Sequence, residues 1–139
     1  LYKEVSTKGE SVPVKIAPIS DQYGFSMRQV IQNKFGNPTD TQYTLTVSAP
    51  TFSSWDQTID DKNFATMMGV VGSVSYTLTE NKTHKEILNS SVSLASSYSV
   101  VKDPYATTVA ERKVKKELAE QLAEQVSLHV LASLAGVHQ

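Results

Sequence analysis

Four stretches of the chain alternate apolar and polar residues with a period of two, and two others carry apolar residues at helical spacing. Alternation is typical of a half-buried strand, whereas recurrence at three and four residues is typical of an amphipathic helix. The pattern predicts strands at 12–17, 42–49, 68–78 and 88–98. It predicts helices at 20–35 and 103–136, and it places a long loop at 52–66, where no periodicity is clear.

The last predicted helix is the longest uninterrupted element. Asp103 is suited to accept hydrogen bonds from its first free backbone N–H groups, and Pro104 occupies the first turn, where a helix tolerates proline. No further proline or glycine occurs before Gly136, so the helix should be about 45–50 Å long. Its apolar row steps by four residues and therefore winds around the axis. We expect residues up to about Val126 to pack on the sheet and the final turns to extend past it.

These elements predict one domain over 1–139, built in two layers. Both helices carry one apolar stripe and the sheet has one apolar face, so burial is best satisfied with both helices on the same side. The predicted fold is an α/β (α+β) two-layer sandwich with two helices on one face of a four-stranded, mostly antiparallel sheet, in the order β-α-β-β-β-α. Pro50 should mark an edge or a bulge in the second strand.

The opposite face of this sheet is predicted to be uncharged and rich in hydroxyl groups. A face that meets only water would normally include some lysine, glutamate or arginine, whereas short hydroxyls can be buried against a partner where they find hydrogen bonds. The face is suited to docking inside a polar partner; the alternative, which strand statistics alone favour, is that serine and threonine are ordinary exposed strand residues. The predicted docking residues are Thr44, Thr46, Ser48, Ser73, Ser75, Thr77, Ser91 and Ser93.

Composition narrows the possible functions. The formal net charge is −1, with 13 basic and 14 acidic residues interspersed, which argues against nucleic-acid binding. The chain has no cysteine, and its histidines, at 84, 129 and 138, lack the spacing of a metal site. No Gly-x-Ser-x-Gly motif or phosphate-binding glycine loop occurs. We therefore expect no enzymatic activity, no metal and no cofactor.

Several segments, in order along the chain, resemble the LPS-assembly lipoprotein family (LptE-like). Each segment alone is degenerate, and the resemblance depends on their order and spacing over nearly the whole chain. The segments are Ile19-Ser20-Asp21-Gln22-Tyr23-Gly24, Met27-Arg28-Gln29, Gln42-Tyr43-Thr44-Leu45-Thr46-Val47, Val74-Ser75-Tyr76-Thr77-Leu78-Thr79, Ser97-Tyr98, Tyr105-Ala106-Thr107 and Ala110-Glu111-Arg112.

The resemblance implies a lipoprotein of the outer membrane, lipid-anchored on the periplasmic side. In that family a signal peptide ends in a lipid-modified cysteine, and Leu1-Tyr2 is similar to the end of the short segment that follows it. We therefore expect a cysteine upstream of residue 1. The implied fold is two helices on one face of a four-stranded sheet. The implied role is a plug inside the β-barrel LptD, with which the family inserts lipopolysaccharide into the outer leaflet.

A lipopolysaccharide contact should offer cations next to modest apolar surface, because the ligand carries phosphates and acyl chains. The candidates by position are Lys62, Lys82, Lys85 and Lys102. The alternative is that each is a solubilising loop lysine.

Two other functions stay open at the level of sequence. A free periplasmic lipid-binding carrier would need an internal cavity, lined by strand residues such as Val74, Tyr76 and Leu94. A generic protein-interaction domain would need only the exposed face. For an enzyme, no pair of nucleophile and base can be nominated.

Overall fold

The fold is a two-layer sandwich in which two helices cover one face of an open sheet, as predicted from the sequence. The computed structural model describes residues 12–59 and 65–137. The strands are β1 (Val14–Ile16), β2 (Tyr43–Val47), β3 (Thr51–Ile59), β4 (Ala65–Glu80) and β5 (Glu86–Ser99). The helices are α1 (Gly24–Phe35) and α2 (Pro104–Val137).

Strand β4 is the centre of the sheet, and it pairs along both of its edges. Gly69 lies between Trp55 of β3 and Ser97 of β5, and Leu78 lies between Leu45 of β2 and Leu88 of β5. Strands β2 and β3 therefore follow one another along the same edge of β4, while β5 occupies the other. All these pairings are antiparallel, and β1 adds to β2 in parallel.

The sheet has five strands where four were predicted, because an irregularity divides the second predicted strand from its continuation. Val47 pairs with Tyr76 and Thr51 pairs with Ser73, so the three residues 48–50 stand opposite the two residues 74–75. One extra residue on one strand is a β-bulge. The expectation that Pro50 marks a bulge is confirmed, and part of the segment predicted as a loop, 52–66, is strand β3.

One hydrophobic core lies between the sheet and the helices. Helix α1 contributes Met27, Ile31 and Phe35, all fully buried, and it ends at Gly36, whose φ of 76° is in the region that favours glycine. The other large buried members are Val14, Ile16, Ile19, Tyr23, Tyr43, Leu45, Val47, Val74, Tyr76, Leu78, Leu122, Val126, Val130 and Leu134. A smaller cluster contains Val70, Tyr98 and Leu118.

Helix α2 runs for 34 residues and begins as predicted. The Asp103 carboxylate accepts a hydrogen bond from the Tyr105 N–H at 2.9 Å. Its end differs from the prediction, because Val130 is fully buried and Leu134 is 6% exposed. The expectation that the turns after Val126 extend past the sheet is wrong: these turns belong to the core.

Candidate functional site

The sheet face opposite the helices brings together all eight predicted docking residues. In β4 the even-numbered residues 70–78 point toward the helices, so the odd-numbered ones point the other way. Thr46 pairs with Thr77, which pairs in turn with Asn89, and Ser73 lies between Thr51 and Ser93. We call this surface the open face. It includes Thr44, Thr46, Ser48, Thr51, Ser53, Trp55, Met67, Gly69, Val71, Ser73, Ser75, Thr77, Thr79, Asn89, Ser91, Ser93, Ala95, Ser97 and Ser99.

Hydroxyl groups on the open face bond to one another and to the strand backbone. The Ser75 N–H donates to the Ser48 Oγ at 3.0 Å across the bulge. The Thr51 and Ser73 hydroxyls lie 3.0 Å apart. These contacts hold short polar groups in fixed positions on neighbouring strands, while most of the surface remains accessible to a partner.

The charged residues on the open face lie at its margins among the described parts of the sheet. Glu86, the first residue of β5, pairs with Thr79, and its carboxylate accepts a hydrogen bond from the Asn89 amide at 3.3 Å. Lys15 of β1 pairs with Thr44 at the margin of the sheet. Lysine and glutamate are costly to bury because each loses its hydration, so the area between these margins, which carries neither, can be desolvated at lower cost.

The open face also carries an aromatic residue that the sequence interpretation placed in a loop. Trp55 of β3 lies over Gly69, with Met67, Val71 and Ala95 at open-face positions around it. The indole is 43% exposed. Neither face of β3 has an apolar pattern from which the sequence could have identified this position.

The four candidate lysines do not converge on one site. Lys82 and Lys85 are exposed at the turn between β4 and β5, whereas Lys102 is exposed at the opposite end of the sheet, between β5 and α2. Lys62 lies outside the described residues.

The surroundings of these lysines differ in charge and polarity. A shallow groove beside Lys82 is lined by the carboxylates Asp40 and Glu80, which disfavour an anion there. Lys102 instead follows Val101, which is 50% exposed, and precedes Tyr105, which is 76% exposed. Of the three described candidates, Lys102 alone combines a cation with adjacent exposed apolar surface.

Two tyrosines on the helix side of the sheet, Tyr76 and Tyr98, are buried by packing within the fold. The Tyr76 hydroxyl and the His129 Nδ1 are 2.7 Å apart, which links β4 to α2. Burial raises the pKa of Tyr76, and burial with the nearby Glu111 carboxylate raises the pKa of Tyr98. Among the described residues, no group of three or more histidine or acidic side chains has a metal-binding arrangement.

The residues that would line the cavity of a lipid carrier are packed instead. Val74 and Tyr76 are 3% and 2% exposed and belong to the core, and Leu94 packs against it. Within the described part of the chain, these three residues therefore pack in or against the core and do not line an open cavity.

No protein-family model matches the chain, and no curated protein matches it in sequence. Solved structures do match in fold. Rare lipoprotein B from Shewanella oneidensis superposes with a TM-score of 0.74 at 9% identity, covering 91% of this chain and 98% of that one. An uncharacterized lipoprotein B from Nitrosomonas europaea gives a TM-score of 0.62 at 16% identity, covering 96% and 97%.

A minor lipoprotein from Acinetobacter baumannii gives a TM-score of 0.60 at 16% identity, covering 86% of this chain and 88% of that one. At these identities the likeness is one of fold.

In the described part of the chain, neither helix combines the length and the apolar character that crossing a bilayer requires.

Proposed function

We propose that this chain is a non-enzymatic outer-membrane lipoprotein, anchored by lipid on the periplasmic side. Its open face docks inside a β-barrel partner of the LptD type, which it plugs and helps to assemble. The pair then takes part in the insertion of lipopolysaccharide into the outer leaflet. The proposal is supported by the open face, the fold of its structural neighbours and the resemblance carried by the sequence segments.

The open face, which is uncharged between Lys15 and Glu86 at its margins, is the observation that carries the proposal. Desolvating a charge without a partner costs several kcal/mol, whereas a hydroxyl that keeps a hydrogen bond costs far less. The nineteen positions between those margins, on four strands, would otherwise be expected to include charged side chains. The face suits enclosure by a polar wall that offers donors and acceptors, such as the lumen of a barrel.

Trp55 gives this face a candidate anchor. Tryptophan is enriched among the residues that dominate binding energy, because it buries a large area with few rotatable bonds. Here the indole already rests on Gly69, so one side of the ring is packed and the other is available. Little side-chain freedom remains to be lost when a partner covers it.

The end of the molecule that carries Lys102 suits contact with lipopolysaccharide. Val101 and Tyr105 are exposed beside it, and Arg112 and Lys113 are exposed on the first turns of α2. Cations next to apolar surface match a ligand with phosphates and acyl chains. Lys82 and Lys85 are weaker candidates because, among the described residues, no exposed large apolar side chain lies next to either in the chain.

The lipid anchor is supported by the three named neighbours, each of which is called a lipoprotein.

The experiment that tests the proposal is purification of the natural, full-length protein from membranes under mild detergent, with identification of the proteins that accompany it. We expect a large outer-membrane barrel protein in a one-to-one ratio. Recovery of the lipidated protein without any barrel protein would contradict the proposal.

A further inference from the structure

Among the described residues, the outer edge of β5 is the longest strand edge of the sheet that has no paired neighbour. β5 has 14 residues and pairs with β4 along nearly all of them, from Ser99 opposite Met67 to Glu86 opposite Thr79. Within residues 12–59 and 65–137, no other strand pairs with β5. Every second residue of β5 therefore presents its backbone N–H and C=O outward.

The other two free edges of the sheet are short or irregular. β1 has three residues, and the Arg28 guanidinium donates to the Ile16 carbonyl at 3.4 Å. β3 carries a charge at Asp56, and its pairing shifts register twice between Asp56 and Ile59. Short length, charge and bulges are the ordinary means by which a protein prevents strands from adding to an edge.

β5 lacks these protections along most of its length. Residues 87–99 include no charged residue and no proline. The shift in its pairing with β4 lies at its first residues, next to Ile87. An edge of this length that is neither charged nor interrupted is a template for another strand.

We propose that the strand added to this edge is β5 of a second copy, paired antiparallel about a twofold axis through Ser93. The dimer is a continuous sheet in which the two β5 strands are neighbours. The dimer uses the edge of the sheet and the proposed docking uses the open face. A chain enclosed in a barrel could not also pair with a second copy, so the dimer is a state of the chain without its barrel partner, and each proposal has its own test.

A twofold axis through Ser93 pairs the two copies over residues 87–99, nearly the whole strand, and the sequence of β5 is self-complementary in this register. Antiparallel partners share a face of the sheet, so a twofold axis through Ser93 sets apolar residues opposite apolar residues and hydroxyls opposite hydroxyls or other small groups. With the axis at Val92, Leu94 would lie opposite Ser90, and with the axis at Leu94, Val92 would lie opposite Ser96. Either shift therefore sets an apolar residue opposite a hydroxyl. On the helix side the matched pairs are Val92 with Leu94, Ser90 with Ser96, and Leu88 with Tyr98; on the open face they are Ser91 with Ala95, Asn89 with Ser97, and Ser93 with itself.

Residues 1–139 contain no cysteine, so this register can be tested directly by disulfide formation between introduced cysteines. Residues directly opposite in an antiparallel pair have Cα atoms about 4.5–5.5 Å apart, a distance that a disulfide spans. Ser93→Cys should therefore form a covalent dimer under mild oxidation. Thr46→Cys, on the same face but on β2, is the matched control and should remain monomeric.

A mixture of two single variants tests the register. Ser91→Cys and Ala95→Cys should cross-link with each other when mixed. Each alone should cross-link poorly, because its own copy would lie about 13 Å away along the strand. Ser93→Lys should weaken the dimer of the unmodified chain by about fivefold, since like charges would face each other across the axis.

Analytical ultracentrifugation of the full chain, with circular dichroism to confirm folding of every variant, gives the second readout. We expect a concentration-dependent dimer that Ser93→Lys weakens and Thr46→Lys does not. A chain that is monomeric at all concentrations would overturn the proposal. So would a dimer in which Ser93→Cys fails to cross-link or cross-links no better than Thr46→Cys.

Discussion

The indole ring of Trp55 lies directly on the backbone of Gly69, the residue opposite it in the neighbouring strand. A Cβ atom at Gly69 would be 2.3 Å from both Cε2 and Cζ2 of the ring, closer than such atoms approach one another. Gly69 thus provides the space that lets the ring lie flat on the sheet. The position of the aromatic group on the open face depends on this missing side chain.

We predict that Gly69→Ala lifts the indole away from the sheet without unfolding the domain, because the ring is at the end of a flexible side chain. Trp55 is the chain's one tryptophan, so its fluorescence reports the change directly. The emission maximum should move to longer wavelength, while Gly136→Ala, where a Cβ meets nothing within 4 Å, should leave it in place. An unchanged emission maximum in Gly69→Ala would show that the ring does not rest on Gly69.

A second glycine is required for a different reason. A Cβ at Gly24 would be 2.0 Å from the Ile19 carbonyl oxygen, and backbone on both sides has little room to move. We predict that Gly24→Ala lowers the free energy of unfolding by about 1–3 kcal/mol. Gly136→Ala should instead be neutral or stabilising by up to about 1 kcal/mol, because alanine is the better helix former. Urea denaturation of the two variants gives the comparison, and equal stabilities would contradict it.

The end of α2 is predicted to be essential for stability. Leu134 is 6% exposed and packs in the core, whereas Leu128 is 43% exposed on the same helix. Leu134→Ala should therefore cost about 2–4 kcal/mol, and Leu128→Ala about 1 kcal/mol or less. Thermal and urea denaturation provide the measurement. Similar losses in the two variants would mean that the last turns of α2 do not pack as described.

Tyrosine ionisation should destabilise the fold at alkaline pH. Burial raises the pKa of Tyr76 above its ordinary value of 10.0, so the folded state retains a proton that the unfolded state has lost. The contribution of Tyr76 is complete below that ordinary value and disappears as the pH rises through the raised pKa. The free energy of unfolding should therefore fall above about pH 10.

Replacing the ionising group isolates this effect. Tyr76→Phe should show a shallower decline in stability over that range, although it loses the bond to His129 at every pH. Tyr105→Phe, at a residue that is 76% exposed, should decline as the unmodified chain does. Parallel declines for all three proteins would contradict the assignment.

The sequence predicted the strands whose two faces differ in polarity. In β4, Val74, Tyr76 and Leu78 alternate with hydroxyl residues, and the structure buries the apolar set and exposes the other side. The start of α2 was predicted because Asp103 and Pro104 define a helix N-terminus through local chemistry alone. Both inferences need only near neighbours along the chain.

Long-range packing accounts for what could not be predicted. In β3, Phe52 points to the helices and Trp55 to the open face, so neither face has an apolar pattern to recognise. Helix α1 lies beside α2, with Lys34 and Glu124 paired at 3.6 Å, and the core cluster that α1 enters also includes Val130 and Leu134 near the end of α2. Nothing in either helix by itself indicates which half of α2 the shorter helix covers.

The central claim is that the open face docks inside a barrel partner, and charge introduced on that face tests it most directly. Thr46→Glu, Ser75→Glu and Ser91→Glu each place a carboxylate at an exposed open-face position, on β2, β4 and β5. Thr39→Glu places the same charge at an exposed position outside the sheet. Circular dichroism should show all four variants folded.

The decisive measurement is the amount of barrel protein that co-purifies with each lipidated variant from membranes. We predict a loss of at least about tenfold for Thr46→Glu, Ser75→Glu and Ser91→Glu, because each would bury an unpaired charge at a cost of several kcal/mol. Thr39→Glu should co-purify with the barrel as the unmodified protein does. Undiminished co-purification of the three folded open-face variants would contradict the claim.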